Sequence, residues 1–225
     1  MEIGARFLIL MLKRAFDIIA STAASIILAP LFLLLAISIK LDSPGPVFYR
    51  ARRVGKDARP FYMLKFRTMV KNADQLGSKI TEKYDSRITC SGRWLRFFKL
   101  DELPQIWNVF VGDMSIVGPR PEEIDVMKRY PEQQKRILKV KPGLTCMAQV
   151  VFFPDIIYWE TIPKGVDLQE YYLEYLLPKK LEPDLDYIER QSLWLDLEII
   201  FKTIWCVLIK SWWLFLVKRQ RTQAP

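Results

Sequence analysis

Residues 15–39 form an apolar run whose one charge is Asp17 and which carries Pro30 near its middle. The run is long enough to cross a bilayer. It is too long, and lacks a convincing cleavage site, for a signal peptide. Lys13-Arg14 precede it, and Lys40, Arg50, Arg52 and Arg53 follow. Positive charge marks the cytoplasmic side, and here both flanks are positive. Pro30 removes a backbone donor and bends or breaks a helix. Ser21, Thr22 and Ser25 stand where their hydroxyls would satisfy freed backbone groups. From these features alone, a re-entrant hairpin and a spanning helix both remain open.

The remaining chain is charged, and 225 residues suit one domain plus a membrane element. The net charge of +9 favours an anionic partner: a lipid surface, a nucleotide or nucleic acid. With no histidine, a Ser-His-Asp or Cys-His site and a histidine-bound metal are excluded. Cys90, Cys146 and Cys206 show no C-x-x-C spacing and suit reduced core or membrane positions. Neither a G-x-G-x-x-G nor a Walker A sequence is present.

Ser43-Pro44-Gly45-Pro46 ends the apolar segment with turn chemistry. Val47–Arg53 and Phe61–Arg67 read as two strands around Gly55–Pro60. Period-two alternation places Lys65 and Arg67 on one face, solvated, and Tyr62, Leu64 and Phe66 on the other, toward a core. Residues 70–91 read as a polar loop with a short helix. Gly92–Lys99 reads as a short amphipathic helix. A second helix starts near Asp101, takes Pro104 in its first turn and turns Ile106, Val109 and Phe110 inward. Gly118-Pro119-Arg120-Pro121 and Val140-Lys141-Pro142-Gly143 are stiff turns. Residues 193–217 are helical in character, and tryptophans beside lysines suit either an interfacial or a packing helix.

Asp101-Glu102 is the pair to weigh for chemistry. Acids at a helix start ordinarily satisfy backbone donors and the helix dipole. The alternative is that one is a nucleophile or metal ligand. Arg93, Arg96 and Lys99 just before it would depress its pKa and keep it ionised. With carboxylates but no histidine or paired cysteine, Mg2+ is the metal the donor set suits, held by Asp101 and Glu102. Lys65, Arg67 and Arg120 extend the cationic set. Arg120, between two prolines, presents its guanidinium from a rigid backbone suited to phosphate.

The order of motifs resembles the monotopic phosphoglycosyl transferases, bacterial sugar transferases that begin glycan assembly. The matching stretches are Lys13-Arg14-Ala15-Phe16-Asp17, Ser43–Phe48, Lys65-Phe66-Arg67-Thr68-Met69, Asp85–Thr89, Leu100-Asp101-Glu102-Leu103-Pro104-Gln105, Gly112–Pro121 and Lys141–Thr145. Gln191–Leu197 resembles the family's C-terminal end. Two stretches depart from the pattern: Ala29 precedes Pro30 where the family often has serine, and Cys146-Met147 replaces a glycine and an aromatic.

The resemblance implies transfer of a phosphosugar from a UDP-sugar to polyprenol (undecaprenyl) phosphate. Asp101 would be the nucleophile, UMP the leaving group and an aspartyl-phosphosugar the intermediate. Glu102 would assist and help bind Mg2+. Arg96, Arg120, Lys65 and Arg67 would hold phosphate or nucleotide. The implied fold is α+β and mainly helical, with a re-entrant membrane helix, a small β-hairpin and a compact helical catalytic domain on the membrane surface. Its segments are an anchor over residues 1–42, bent at Pro30, a cytoplasmic catalytic domain over 43–192 and a C-terminal helix over 193–225. The place implied is the cytoplasmic face of a bacterial inner membrane. Membrane lipid is an implied partner, nucleic acid is not, and homo-oligomerisation stays open.

Two other classes compete. A membrane-tethered basic module binding anionic lipid or nucleic acid would share the charge and the anchor. However, acids interrupt the cations and no nucleic-acid motif occurs. A glycosidase needs two carboxyl groups facing each other across a sugar, and adjacent residues at one helix start diverge.

Overall fold

The structure is a computed structural model that describes residues 2–76, 85–152, 166 and 168–210. It is mostly helical, with two small two-stranded sheets. Helix α1 spans Glu2–Asp42 and contains Pro30. The two pieces expected on either side of the proline are therefore one uninterrupted helix. The hydroxyls expected to rescue groups freed by Pro30 bond one turn back instead. Thr22 Oγ1 donates to Ile18 O at 2.7 Å, Ser21 Oγ to Ile18 O at 3.1 Å and Ser25 Oγ to Ser21 O at 2.8 Å. The carbonyl that loses its partner to Pro30 is that of residue 26, one turn further along.

Two stretches of α1, around residues 13–21 and 32–42, dock on the same globular body. Near the start, Lys13, Asp17 and Ser21 are buried. Lys13 Nζ meets Asp196 Oδ2 at 2.5 Å, and Arg14 donates to Val109 O and Phe110 O at 2.7 and 2.8 Å. Asp17 Oδ1 accepts from Ile116 N at 2.9 Å and Ser115 Oγ at 3.1 Å. Near the other end, Ile39 is buried with Phe66 and Leu95, and the Phe32 ring meets Phe66 edge-on at 5.3 Å. Between these footholds Ile26 and Ile27 are 71% and 72% exposed.

Strands β1 (Phe48–Val54) and β2 (Pro60–Phe66) pair antiparallel from Phe48↔Phe66 to Val54↔Pro60. This is the expected hairpin, displaced by one residue at each strand. Its faces differ from the alternation argument. Both sides of β2 are covered: Met63 enters a core with Ala51, Val109 and Met114, while Phe66 packs against α1. Tyr62, assigned inward by period, is exposed.

Helix α2 (Cys90–Phe97) is capped by Thr89, whose hydroxyl accepts from Gly92 N at 3.1 Å. Lys99, at φ 56°, turns the chain into a 3-10 turn over Leu100–Glu102. Helix α3 (Gln105–Val111) starts only after Pro104, so the helix expected to begin near Asp101 begins four residues later and the acid pair precedes it. Ile106 and Val109 face inward as expected, but Phe110 is exposed. Strands β3 (Ser115–Val117) and β4 (Gly143–Thr145) pair in parallel, joined through α4 (Ile124–Met127). Then come α5 (Met147–Val151), α6 (Leu168–Tyr171), a π turn at Tyr172–Leu176 and α7 (Leu177–Arg190).

Helix α8 (Leu193–Trp205) opens on Ser192, whose hydroxyl accepts from Leu195 N. It is a packing helix on one side and a bare apolar helix on the other. Leu195, Asp196 and Ile199 are buried, whereas Trp194, Phe201 and Trp205 are exposed. Trp212, Trp213 and Lys218-Arg219, included in the reading of this tail, lie outside the described residues.

Candidate active site

The acid pair sits on the 3-10 turn between α2 and α3, and both residues are buried, Asp101 at 8% and Glu102 at 7% exposure. Burying two adjacent carboxylates is costly unless cations or donors meet them. Glu102 is met twice. Lys65 Nζ from β2 and Arg120 Nη2 from the loop after β3 both lie 2.9 Å from its Oε1. Among the described residues, no donor hydrogen-bonds or ion-pairs with the Asp101 carboxylate. Lys65, Lys99 and Arg96 act on it only through space.

The two carboxyls therefore differ. For Glu102, burial pushes the pKa up, but Arg120, Lys65 and Lys99 outweigh it and hold the group well below the usual range. For Asp101, burial and the negative charge of Glu102 outweigh Lys65, Lys99 and Arg96, and the pKa is raised. The depression expected from Arg93, Arg96 and Lys99 is thus reversed at Asp101. Arg93 itself is exposed to solvent. Glu102 is a fixed counter-ion. Asp101, once ionised, is a poorly solvated carboxylate with its lone pairs uncommitted, which suits a nucleophile.

Each cation is placed by a definable contact. Asn108 of α3 clamps β2 beside Lys65, with Oδ1 accepting from Leu64 N at 2.9 Å and Nδ2 donating to Tyr62 O at 2.8 Å. Arg96 Nε donates to Thr68 Oγ1 at 2.8 Å. That contact requires α2 to lie almost on the Thr68 backbone. A Cβ on Gly92 would stand 2.1 Å from Thr68 O, so only glycine fits. Lys65, Arg96 and Arg120 are thus brought together around the acid pair.

Arg67 is placed elsewhere. Its guanidinium reaches back to the end of α1, donating to Ile39 O, Ser43 O, Ser43 Oγ and Pro44 O at 2.7 to 3.3 Å. It is 6% exposed. These carbonyls are the unsatisfied end of a helix and the turn that follows, where a cation is favourable. The Pro44-Gly45-Pro46 turn is built around it: Gly45 has φ +128°, and a Cβ there would lie 2.1 Å from Arg67 Nη1. The expected role of Arg67 at the substrate gives way to one at the anchor.

Three placing residues escaped the sequence reading. Thr68 lies inside a recognised motif without an assigned role, and Asn108, between Ile106 and Val109, was a visible buried-polar signal. Asp184 of α7 gave none. Its Oδ2 accepts from Arg120 N at 3.2 Å and its Oδ1 from Ala148 N at 2.9 Å.

Among the described residues, no group of three or more acidic, cysteine or histidine side chains converges. Mg2+ needs no such group where phosphates and waters complete an octahedron around one or two carboxylates. Asp101 and Oε2 of Glu102 are the carboxylate oxygens that would be offered to such an ion. Oε1 is already engaged by Lys65 and Arg120.

The chain is 38% identical over 200 residues to a UDP-N-acetylgalactosamine-undecaprenyl-phosphate N-acetylgalactosaminephosphotransferase of Aeromonas hydrophila, covering 88% of this chain and 44% of that protein. It is 39% identical over 196 residues to a UDP-glucose:undecaprenyl-phosphate glucose-1-phosphate transferase of Caulobacter vibrioides, covering 85% and 68%. It is 34% identical over 209 residues to the exopolysaccharide production protein ExoY of Rhizobium meliloti, covering 86% and 84%. The chain thus spans less than half of the first of these relatives and most of the last. The family model described as bacterial sugar transferase matches residues 8–210, and the chain belongs to that family.

Proposed function

We propose that this chain is a membrane-bound transferase that moves a phosphosugar from a UDP-sugar to undecaprenyl phosphate, the first step of an exopolysaccharide or related glycan. The observation that carries the reading is the division of labour in the acid pair. One oxygen of Glu102 is engaged by both Lys65 and Arg120, while Asp101 is buried near several cations and, among the described residues, bonded to none of them. Asp101 attacks the sugar-linked phosphorus, the bond from that phosphorus to the bridging oxygen breaks, and UMP leaves with the bridging oxygen. An oxygen of the lipid phosphate then attacks the same phosphorus and releases the Asp101 carboxylate. Splitting the transfer keeps each step a simple displacement at phosphorus, where catalysis is positioning and charge neutralisation.

Arg96 and Arg120 hold the anionic diphosphate against a nucleophile of like charge. Lys65 fixes Glu102 and adds positive potential at Asp101. Asp101 and Glu102 are the residues that would hold Mg2+, which would supply charge neutralisation to the diphosphate when bound. Two of the relatives named above are named for UDP-N-acetylgalactosamine and UDP-glucose donors. The shared chemistry is the nucleoside diphosphate linkage.

The same reading places α1 as a re-entrant anchor. A helix held to one domain on both sides of its apolar middle cannot cross to the far side of a bilayer between those two footholds. Lys13, Arg14 and Asp17 form one foothold, Phe32 and Ile39 the other, and the exposed apolar middle enters the lipid. The bare face of α8, with Trp194, Phe201 and Trp205 exposed, suits contact with the same membrane. The catalytic domain then works on the cytoplasmic face of the inner membrane.

The test is incubation with a panel of nucleotide sugars and undecaprenyl phosphate, scored by nucleoside monophosphate. UMP release dependent on one UDP-sugar supports the reading. No monophosphate from any donor, with retained binding to anionic vesicles, replaces it by a basic lipid-binding module.

A further inference from the structure

Arg120 has a weak claim to a fixed position by packing alone. Its side chain is 41% exposed, and its loop lies beyond the short strand β3. Pro119 and Pro121 fix their own φ angles, and Pro121 restricts ψ of Arg120. The freedom left to the backbone at Arg120 is its φ. The N–H bond of Arg120 to Asp184 Oδ2 at 3.2 Å pins the Pro119–Arg120 peptide plane from which that rotation starts.

The Asp184 carboxylate is itself unable to swing. Its other oxygen accepts from Ala148 N at the start of α5 at 2.9 Å, and the residue is 2% exposed, so water does not compete. One turn later on the same helix, the Tyr187 hydroxyl lies 3.3 Å from Val117 O on β3. Helix α7 thus grips the β3 loop at Arg120 and stands against β3 at Val117. A buried carboxylate 64 positions from Arg120 is an expensive way to fasten a loop. The outlay is reasonable if the loop carries a side chain whose position matters.

We propose that Asp184 is a positioning residue: it holds the Arg120 backbone so that the guanidinium meets Glu102 and the incoming diphosphate. The inference rests on the transferase reading above. It makes two separable statements. Asp184 acts on turnover through Arg120, and it sets the order of the Arg120 guanidinium whatever the reaction is.

The experiment uses the full chain in detergent, with Asp184→Ala, Arg120→Ala and the double variant, and Asp184→Asn as the same-shaped replacement. Asparagine turns a donor toward one of the two N–H groups, so it loosens the grip without opening a cavity. UMP release should fall about 10- to 100-fold in Asp184→Ala or Asp184→Asn, the scale of a misplaced catalytic group. In the Arg120→Ala background, removing Asp184 should change kcat by less than about 3-fold, because its effect has no route left. Multiplying losses in the double variant would overturn the proposal and leave Asp184 a merely structural residue. So would full activity in folded Asp184→Asn.

The second readout is the Arg120 side-chain signal in NMR of 15N-arginine-labelled protein, assigned by its loss in Arg120→Lys. It should shift or broaden in Asp184→Asn while the Arg67 and Arg14 signals stay. An unmoved Arg120 signal overturns the proposal. If the unmodified chain releases no monophosphate from any donor, the transferase reading fails, and this signal still decides whether Asp184 orders Arg120.

Discussion

Replacing Arg67 by methionine separates a structural from a substrate role just past the strand that carries Lys65. Nη1 donates to Pro44 O, and the two hydrogens of Nη2 are shared among Ile39 O, Ser43 O and Ser43 Oγ; among the described residues no acid side chain pairs with the group directly. Bonds from a charged donor contribute about 1.5–3 kcal/mol each, so for three bonds the gross loss is on the order of 5–9 kcal/mol. Two effects offset this. Burial of Arg67 draws its pKa down, so its removal relieves a desolvation penalty. Its Nε is buried without a partner, and that cost disappears too. The freed carbonyls lie at a helix end near the surface, where water reaches some of them. The net expected loss is about 3–5 kcal/mol. For a domain of this size that lowers Tm by roughly 6–20 °C. Thermal unfolding in detergent reads the stability, and UMP release below the new Tm reads the site. KM for the UDP-sugar should stay within about 3-fold of the unmodified chain, since the guanidinium faces α1. An unchanged Tm with a KM raised 30-fold or more would refute the reasoning and return Arg67 to the substrate.

Arg96→Ala and Arg120→Ala should each lower kcat/KM by roughly 2–4 kcal/mol in transition-state terms, while Lys56→Ala in the exposed hairpin turn stays almost silent. Equal losses at all three in the UMP assay would mean bulk charge and no site. Asp184 is raised by burial from 3.8 to about 6, against the backbone bonds of Ala148 and Arg120 and the Arg120 charge. Because the folded value lies above the unfolded one, its contribution is fully present below pH 3.8 and is lost as pH rises through about 6. Over that window it should remove roughly 3 kcal/mol of stability. Denaturant titrations at pH 4, 5, 6 and 7 should show this slope, and it should flatten in Asp184→Asn. Finally, a cysteine near Glu2, with the native thiols removed, should resist an impermeant thiol reagent in intact cells. Labelling from outside would establish a spanning α1.

The legible parts of this chain were the local ones. The hairpin followed from alternation around Gly55–Pro60, and α2 and α3 followed from their short amphipathic periods. The Pro44-Gly45-Pro46 turn announced itself by composition. Alternation misread Tyr62 and Arg67 because β2 is covered on both sides, by α3 on one and by α1 on the other. Period-two reasoning assumes one wet face. Phe110 was misread in the same way, since a helix of seven residues is too short for its period to define a face well. The acid pair was visible, but its asymmetry was not. Whether Glu102 or Asp101 is neutralised depends on Lys65 and Arg120, which lie 37 and 18 positions from Glu102. Asp184 was invisible for the same reason. The docking of both stretches of α1 rests on Asp196, Ser115 and Phe66, none of which a reading of the apolar run alone would connect to it.

The central claim is that Asp101 becomes covalently linked to the phosphosugar. It is tested most directly by intact-protein mass after a UDP-sugar is added without acceptor, followed by peptide mapping. The account predicts one added phosphosugar per chain, located on Asp101, with one UMP released and the adduct discharged when undecaprenyl phosphate is supplied. Asp101→Asn should stay folded and show neither adduct nor UMP. An adduct on any other residue, or near-normal UMP release from Asp101→Asn, would contradict it.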